Sequence, residues 1–270
     1  MNVRALVTIV RRDLTVVARS RAVSLPILLT PILIYVVLPV GFGLAAGFMQ
    51  DGSEEIRELL AVMPPAFRQE IAGLDPTAQI LVWAFEYAFA SLFLLVPLMT
   101  STVIAADSFA GERERKTLEA LVYTPVTDRD LYLAKVAAPW LAAMAVALVG
   151  YVAYAVVANL VAAGPVGRPV VLTPRWLLVL FWLTPAIAGA AVGALVLVSA
   201  RVRGFQEAYQ LGGLVVLPLV ALLVSQLTGA LYLEIGLILL IGAVVWVVAA
   251  VVLRLGYGSF RRERLLATGP

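Results

Sequence analysis

The sequence predicts an all-α integral membrane protein with six transmembrane helices. Hydrophobic residues make up 62% of the 270 residues and charged residues only 14%, whereas soluble domains carry about 25% charged residues. The apolar residues form continuous runs, unlike the alternating segments of about ten residues in a membrane β-barrel. This composition argues against a soluble enzyme and, for the same reason, against a disordered chain.

Six apolar runs have about the 20 residues that a membrane-spanning helix needs. They cover residues 25–48, 80–106, 136–163, 176–200, 208–233 and 235–253. Glu86 is the only charged residue inside them. Glu234 alone separates the last two runs, so we expect their connection to lie at or just inside the membrane interface, with part of 225–233 re-entrant or interfacial.

The arginines and lysines predict that both chain ends are cytoplasmic. Sixteen of the 20 basic residues lie in the terminal segments and loops on one side of the six runs, and four lie on the other side. Loops rich in arginine and lysine stay in the cytoplasm. The net charge of +3 therefore reflects topology, and nucleic-acid binding is not predicted because the basic residues are scattered over short loops.

The N-terminal segment, residues 1–21, is predicted to form a basic amphipathic helix in the cytoplasmic headgroup layer. Apolar residues recur at helical spacing on one face, and arginines gather on the other. The apolar face consists of Val3, Leu6, Val7, Val10, Leu14 and Val17. Two roles remain open: an anchor that sets the topology, and an elbow that passes force from a cytoplasmic partner to the first span.

The segment between the first two spans, residues 50–79, is predicted to form an external loop with two short helices. Ser53 caps the first of these, and Pro64 and Pro65 end it. The second covers residues 66–72. An inert cap on the spans and an external gate both agree with this pattern.

The segment between spans two and three, residues 107–135, carries the densest charge in the chain. Glu112 and Lys116, like Arg115 and Glu119, are opposite charges four residues apart, a spacing that stabilises a helix in water. Leu118, Leu121 and Val122 add an apolar edge, and Pro125 ends the helix. A solvated linker and a docking surface both fit these residues.

This segment resembles the signature of type-2 ABC export permeases, the membrane subunits of ATP-binding-cassette exporters. The matching residues are Glu112, Arg113, Glu114, Thr117, Leu118, Glu119, Leu121, Pro125 and Lys135. The layout of an N-terminal helix, six spans and cytoplasmic ends is similar as well. The long loop between the first two spans resembles the sodium-efflux and multidrug branch, whereas the linker between the last two spans is shorter than in many relatives.

The resemblance implies that residues 112–122 form a coupling helix that docks on a separate ATPase subunit. The docking residues would be Glu112, Arg113, Glu114, Arg115, Thr117, Leu118, Glu119, Leu121 and Val122. It also implies two ATPase subunits that bind ATP and Mg, a second permease subunit, identical or related, and a place in the plasma membrane of a prokaryote. Residues 1–270 would then form a single transmembrane domain.

The sequence gives no sign of catalysis by this chain alone. Without histidine or cysteine it has no imidazole base, no thiolate and no histidine-ligated zinc site. It also lacks the nucleotide-binding run G-x-x-x-x-G-K-[ST]. Asp128 and Asp130 are the only near approach to the paired acidic clusters of Mg²⁺-dependent membrane transferases. We therefore predict no cofactor and no metal in this chain.

An ATP-independent secondary transporter is the alternative function, since such proteins carry ionisable groups inside the membrane. Glu86 lies near the outer end of its span between Trp83 and Tyr87. There it fits a carboxylate that reaches the outer headgroups, a polar network, or an ion or substrate contact near the outer exit. Asn159 and Gln226 fit interhelical hydrogen bonds or a substrate path. The apolar spans favour a hydrophobic or amphiphilic substrate over sodium, which needs more polar ligands.

Overall fold

A computed structural model describes residues 3–48, 61, 63, 65–115, 126–202, 204–228, 231 and 233–259. These residues are predominantly helical, which confirms the predicted all-α class. Among them, six helices are long and apolar enough to cross a membrane. The helices are α1 (Val3–Arg19), α2 (Val23–Phe48), α3 (Pro65–Ile71), α4 (Pro76–Glu114), α5 (Asp128–Val166), α6 (Pro174–Ser199), α7 (Phe205–Leu227) and α8 (Ile235–Gly258).

Two of the membrane-spanning helices are much longer than the apolar runs that predict them. α4 and α5 each contain 39 residues, about 58 Å at 1.5 Å per residue, against a hydrocarbon core of about 30 Å. The charged residues 107–114 therefore continue the second span. No proline interrupts this stretch, so nothing in it forces the helix to end. At the start of α5, the Thr127 hydroxyl accepts a hydrogen bond from the Asp130 N–H.

The core of the bundle is built on α4 and α6, which are largely buried. α4 packs against α5 and α6, and α6 also packs against α8. By contrast, α2, α7 and α8 leave most of their surface exposed. Their apolar side chains face outward, as expected for helices that contact lipid or another membrane subunit.

In the part of the chain that the structure describes, four π-helical turns interrupt the spanning helices, at Leu33–Val37, Ala84–Ala88, Asp107–Gly111 and Val179–Leu183. The first and the last of these lie just before Pro39 and Pro185. A proline has no N–H and its ring crowds the preceding turn, so the regular helical hydrogen bond cannot form there. The other two turns lie where α4 carries its buried charged residues, and π turns are frequent at functional sites.

The N-terminal helix α1 packs on α5, and its buried residues are Ile9, Val10, Asp13 and Val17. The predicted apolar face is thus divided: its inner part contacts protein, while Val3 and Val7 on its flank are more than half exposed. The position of α1 in a headgroup layer stays a prediction.

The predicted external loop is described only from Pro65 onward, apart from residues 61 and 63. The second predicted helix is observed as α3, whose Phe67 ring lies 4.5 Å from the ring of Tyr87 on α4. The first predicted helix, with its Ser53 cap, lies outside the described residues. The end of the helix bundle at which α3 lies is called the α3 end below, and the opposite end, at which α1 lies, is called the α1 end.

The position of α2 depends on Tyr35, which lies in a π-helical turn. Its hydroxyl donates a hydrogen bond to the Phe93 carbonyl on α4 at 2.9 Å, and the two rings stack at 4.9 Å. One edge of the Tyr35 ring lies against Gly150 on α5, where a Cβ atom would overlap it. Glycine at position 150 therefore lets α2, α4 and α5 meet.

Replacing Gly150 with alanine should push the Tyr35 ring off its site, because the ring is fixed by the bond to Phe93. We expect a loss of about 1–3 kcal/mol in the free energy of unfolding, as for other overpacked cores. Denaturant titration of the purified protein in detergent measures it. Gly47→Ala, at a glycine with open space around its Cβ position, is the matched control, and equal stability of the two variants would contradict the packing described.

Candidate functional site

A buried charge cluster joins α1, α4 and α5 at the α1 end. Lys135 on α5 is completely buried, and its ammonium donates hydrogen bonds to Glu112 Oε2 at 2.6 Å and to the Ser108 carbonyl at 3.0 Å. A third bond, at 3.4 Å, goes to Asp13 Oδ2. Glu112 also accepts a bond at 3.0 Å from Arg12. Its carboxylate therefore bridges the N-terminal helix and the third span.

The charges in this cluster compensate one another. Two acids, Asp13 and Glu112, face two bases, Arg12 and Lys135. Burial raises the pKa of the Asp13 carboxyl, and the neighbouring Lys135 ammonium opposes that rise. Removal of one partner from such a buried pair leaves a charge without water or counter-charge, which is strongly destabilising.

The next residue along α4 ties it to the end of α6. Arg113 Nη1 donates hydrogen bonds at 3.4 Å to the carbonyl oxygens of Ser199 and Ala200. The last carbonyls of a helix lack partners within the helix and attract cations. Arg113 therefore acts as a C-terminal cap of α6 that is supplied by another helix.

Glu114 makes the complementary contact with the start of α7. Its Oε2 accepts a hydrogen bond at 2.9 Å from the N–H of Phe205, the first residue of α7. A carboxylate at a helix N-terminus satisfies a free N–H and interacts favourably with the helix dipole. A Cβ atom on Gly204 would come within 2.6 Å of this carboxylate, so glycine at that position makes the contact possible.

Together these residues make the run Glu112–Arg115 a junction between helices. Glu112 contacts α1 and α5, Arg113 contacts α6, and Glu114 contacts α7. Arg115 bonds within its own helix, to Asp107 Oδ1 at 2.9 Å. Glu112, Arg113 and Glu114 thus fasten the end of α4 to four other helices.

The predicted docking residues have different surroundings in the fold. Glu112 is buried, Arg113 is half-buried, and Glu114 and Arg115 are exposed. The remaining predicted docking residues, Thr117, Leu118, Glu119, Leu121 and Val122, lie outside the described residues. The docking surface therefore stays a prediction, as do the helical pairs of Glu112 with Lys116 and of Arg115 with Glu119.

Sequence reasoning did not include Asp13 in this site. Asp13 follows Ile9 by four residues and precedes Val17 by four, so it shares their helix face, and all three are buried. An acidic residue on the otherwise apolar face of a basic helix is the signal that points to a buried partner of opposite charge.

A second charged cluster lies at the α3 end, around Glu86. Glu86 is 2% exposed, and its carboxylate accepts hydrogen bonds from Arg168 at 2.7 Å and Arg175 at 3.5 Å. Arg168 also lies 4.0 Å from Glu70 on α3. The Arg175 guanidinium stacks over the Tyr87 ring at 3.9 Å. Arg168 lies in the connection between α5 and α6 and Arg175 in the first turn of α6, so Glu86 ties that connection and the start of α6 to α4.

The π turn that holds Glu86 exposes backbone carbonyls to neighbouring helices. The Phe85 carbonyl accepts hydrogen bonds from Tyr154 at 2.9 Å and Trp176 at 3.2 Å. The Tyr87 carbonyl accepts one from Gln226 on α7 at 3.3 Å. Gln226 in turn accepts a hydrogen bond from the Ser91 hydroxyl.

The three predicted path residues are therefore not gathered at one point. Glu86 and Gln226 contact the same π turn, whereas Asn159 accepts hydrogen bonds from the N–H groups of Val170 and Val171 in the connection between α5 and α6. Each of the three has hydrogen-bond partners within the chain. Their role in a substrate path stays a prediction. Within the described part of the chain, no group of three or more acidic residues could hold a metal ion.

Within the described residues, six helices long and apolar enough to cross a membrane, with charged junctions at both ends, indicate a polytopic membrane protein. Residues 7–236 match the family described as ABC-2 family transporter protein. The chain therefore belongs to the ABC-2 transporter family and is a membrane component of such a transporter. The matched range includes both charged clusters. A search of curated proteins finds no match.

Replacing Lys135 with methionine should leave two buried carboxylates without their shared ammonium. We expect the free energy of unfolding to fall by about 3–5 kcal/mol, measured by denaturant titration in detergent. Adding Glu112→Gln should restore part of the loss, because it removes one uncompensated charge. Arg129→Met, at an exposed position on the same helix, should change stability by less than about 0.5 kcal/mol. A Lys135→Met protein as stable as this control would refute the cluster's structural role.

Glu86→Gln should remove the counter-charge of Arg168 and Arg175. We expect a loss of roughly 1.5–3 kcal/mol, the range for buried hydrogen bonds to charged groups, in the same titration. Glu70→Gln changes a half-exposed carboxylate at 4.0 Å from Arg168, and should cost less than about 1 kcal/mol. If Glu70→Gln lowered the free energy of unfolding more than Glu86→Gln does, Glu86 would not be the residue that holds this end together.

Proposed function

We propose that this chain is the permease subunit of an ATP-driven exporter whose ATPase is a separate polypeptide. The observation that carries the proposal is the set of bonds from Glu112, Arg113 and Glu114 to α1, α5, α6 and α7. A force applied to the segment that follows this run reaches four other helices through direct contacts. A membrane subunit driven by an external motor needs such a junction.

The charge distribution supports the orientation that this proposal requires. The α1 end is cytoplasmic in this arrangement, because sixteen of the 20 basic residues lie in the segments on that side. Both chain ends are then cytoplasmic, and α1 lies along the membrane surface as an elbow. The membrane is the plasma membrane of a prokaryote.

Two copies of the permease, or two related permeases, pair in this proposal, and two ATPase subunits dock on residues 112–122 of each. ATP and Mg bind only to the ATPase subunits. Closure of the ATPases pushes the docking segments, and the Glu112–Arg115 junction carries the movement into the spans. The ion pairs of Glu86 hold the opposite end closed until the helices move apart.

The substrate class in this proposal is hydrophobic or amphiphilic, because the spans offer almost no charge to a polar solute. The alternative of a secondary transporter or a sodium-efflux permease has less support. Glu86 is the only charged residue inside the six predicted spans, and its charge is already compensated by Arg168 and Arg175. A coupling ion would have to compete with both arginines for this carboxylate.

The docking proposal is tested by co-purification with candidate ABC ATPases from the same genome. We expect Leu118→Asp combined with Glu119→Arg to weaken association at least tenfold, about 1.4 kcal/mol, and to remove stimulation of ATPase activity by the permease. Glu112 is a poor probe, because its carboxylate is buried and a change there would disturb α1 and α5.

The matched control is Arg68→Glu, an exposed charge reversal on α3 at the other end of the bundle. It should leave both association and ATPase stimulation intact. If the double variant binds its ATPase as tightly as this control does, residues 112–122 are not the docking segment.

A further inference from the structure

An exposed row of arginines follows α1 into the start of the first span. Arg11 and Arg19 are exposed on α1, and Arg21 is exposed at the first residue of the helical run that continues as α2. Only Ser20 separates the two helices, so Arg19 and Arg21 flank the corner between them. Within the described part of the chain, none of these three arginines forms an ion pair. Their charges are therefore available to a partner outside the chain.

The arginine row lies on the side of α1 that faces away from the bundle. Each residue of a helix is rotated by about 100° from the one before it, so two positions that are two residues apart point in nearly opposite directions. Arg11 is related in this way to Asp13, which is buried against Lys135. Arg19 is related in the same way to Val17, which is also buried.

Exposed apolar side chains on α2 mark where the lipid hydrocarbon begins. The first of them are Leu25 and Leu28, both more than half exposed. Arg21 precedes them by four and seven residues, so it lies on the same helix face, about 6 Å from Leu25 along the axis. The head-group layer is about 5–8 Å thick on each side of the hydrocarbon core. Arg21 therefore lies at the level of the head groups.

The end of α8 repeats this arrangement. Val247 and Val251 are more than half exposed, and the exposed Arg254 follows them by seven and three residues on the same face. This end of α8 belongs to the α1 end, since the Leu253 carbonyl accepts a hydrogen bond from Tyr132 near the start of α5. Two helices with exposed apolar faces thus end in an arginine at the same membrane level.

α5 places α1 at this level independently. The first large apolar side chain that α5 exposes is Leu141. Lys135, which binds Asp13 of α1, precedes Leu141 by six residues, about 9 Å. Val17, one turn further along α1, belongs to the apolar cluster that includes Ala142. The α1 helix therefore lies beside the edge of the hydrocarbon layer, within reach of lipid head groups.

A negatively charged head group suits this row better than a neutral one. Arginines next to a spanning helix attract anionic lipids, and each cation near the charged surface strengthens binding about fivefold, about 1 kcal/mol. Guanidinium groups also bind phosphate through paired hydrogen bonds. A soluble partner is a poorer match for Arg21, because the exposed leucines on the same face continue from it directly into the membrane.

We propose that anionic phospholipid head groups bind Arg19 and Arg21 at the corner between α1 and α2, with Arg11 extending the contact along α1. Lipid on the outer face and Lys135 on the inner face then hold α1 on the bundle from two sides. This interaction does not rest on the proposed export function, since it requires neither an ATPase nor a substrate.

The absence of cysteine from the chain allows a single label at a chosen position. Ala18→Cys, at an exposed position beside Arg19, is labelled with the fluorophore bimane in the full-length permease, which is reconstituted in phosphatidylcholine vesicles. The quenching lipid carries a nitroxide at carbon 5 of one acyl chain and has either a phosphatidylglycerol or a phosphatidylcholine head group. We expect half-maximal quenching at an at least fivefold lower mole fraction of the phosphatidylglycerol quencher.

Two double variants of the labelled protein each remove two positive charges. Arg19→Gln with Arg21→Gln should bring the ratio between the two quenching lipids close to one. The control is Arg129→Gln with Arg201→Gln, both at exposed positions. Arg129 lies about 18 Å before Leu141 on α5, and Arg201 follows the largely buried α6, so this pair should keep the ratio at fivefold or more.

Equal quenching by the two lipids in the labelled protein overturns the proposal, because α1 would then contact lipid without regard to charge. This comparison needs neither double variant. Weak quenching by both lipids overturns it as well, since α1 would lie away from the bilayer with its arginines open to a protein partner. An equal loss of the ratio in the two double variants would show that net charge, and not the corner, attracts the lipid. The ATPase docking experiment has no bearing on these outcomes, so the two hypotheses fail separately.

Discussion

Lys135 carries a charge at a position from which water is excluded, and the α1 end of the bundle is organised around its neutralisation. An isolated ammonium in such a place is too costly to remain ionised. Glu112 and Asp13 approach it from α4 and α1, and each can do so only if its helix keeps its position. The pairing of one buried amine thus fixes the relative placement of α1, α4 and α5. The neighbouring Arg113 and Glu114 add contacts to α6 and α7.

The opposite end follows the same principle with the signs exchanged. There the buried group is the carboxylate of Glu86, and the compensating charges come from Arg168, on the connection between α5 and α6, and from Arg175, in the first turn of α6. At both ends, the apolar helices are held in register by charges that the membrane interior would not tolerate singly. Packing between apolar helices in a membrane lacks the hydrophobic driving force that orders a soluble core, and such charge clusters supply part of the missing specificity.

The sequence was sufficient for the fold class and the six spans, because length and apolar composition alone decide which segments can cross a bilayer. It was less informative about the ends of α4 and α5, since a charged stretch such as 107–114 can continue a helix as readily as begin a new one. The partners of the charged residues were not predictable. Lys135 and Asp13 are 122 residues apart in the chain, and no local spacing reports such a contact. For the same reason Glu86 was identified from its sequence position while its two arginines were not.

Both clusters belong to the same helix, and this has a mechanical consequence. Glu86 and Glu112 are separated by about 39 Å of α4, at 1.5 Å per residue. A helix of this length acts as a lever: a sideways displacement at one charged end is delivered to the other without any relay of side chains between them. Pro97 lies inside α4 near the midpoint, and because it lacks an N–H it is the point at which this lever bends most easily. The stiffness of one helix, and the place where that stiffness is reduced, thus set how closely the two ends of the molecule move together.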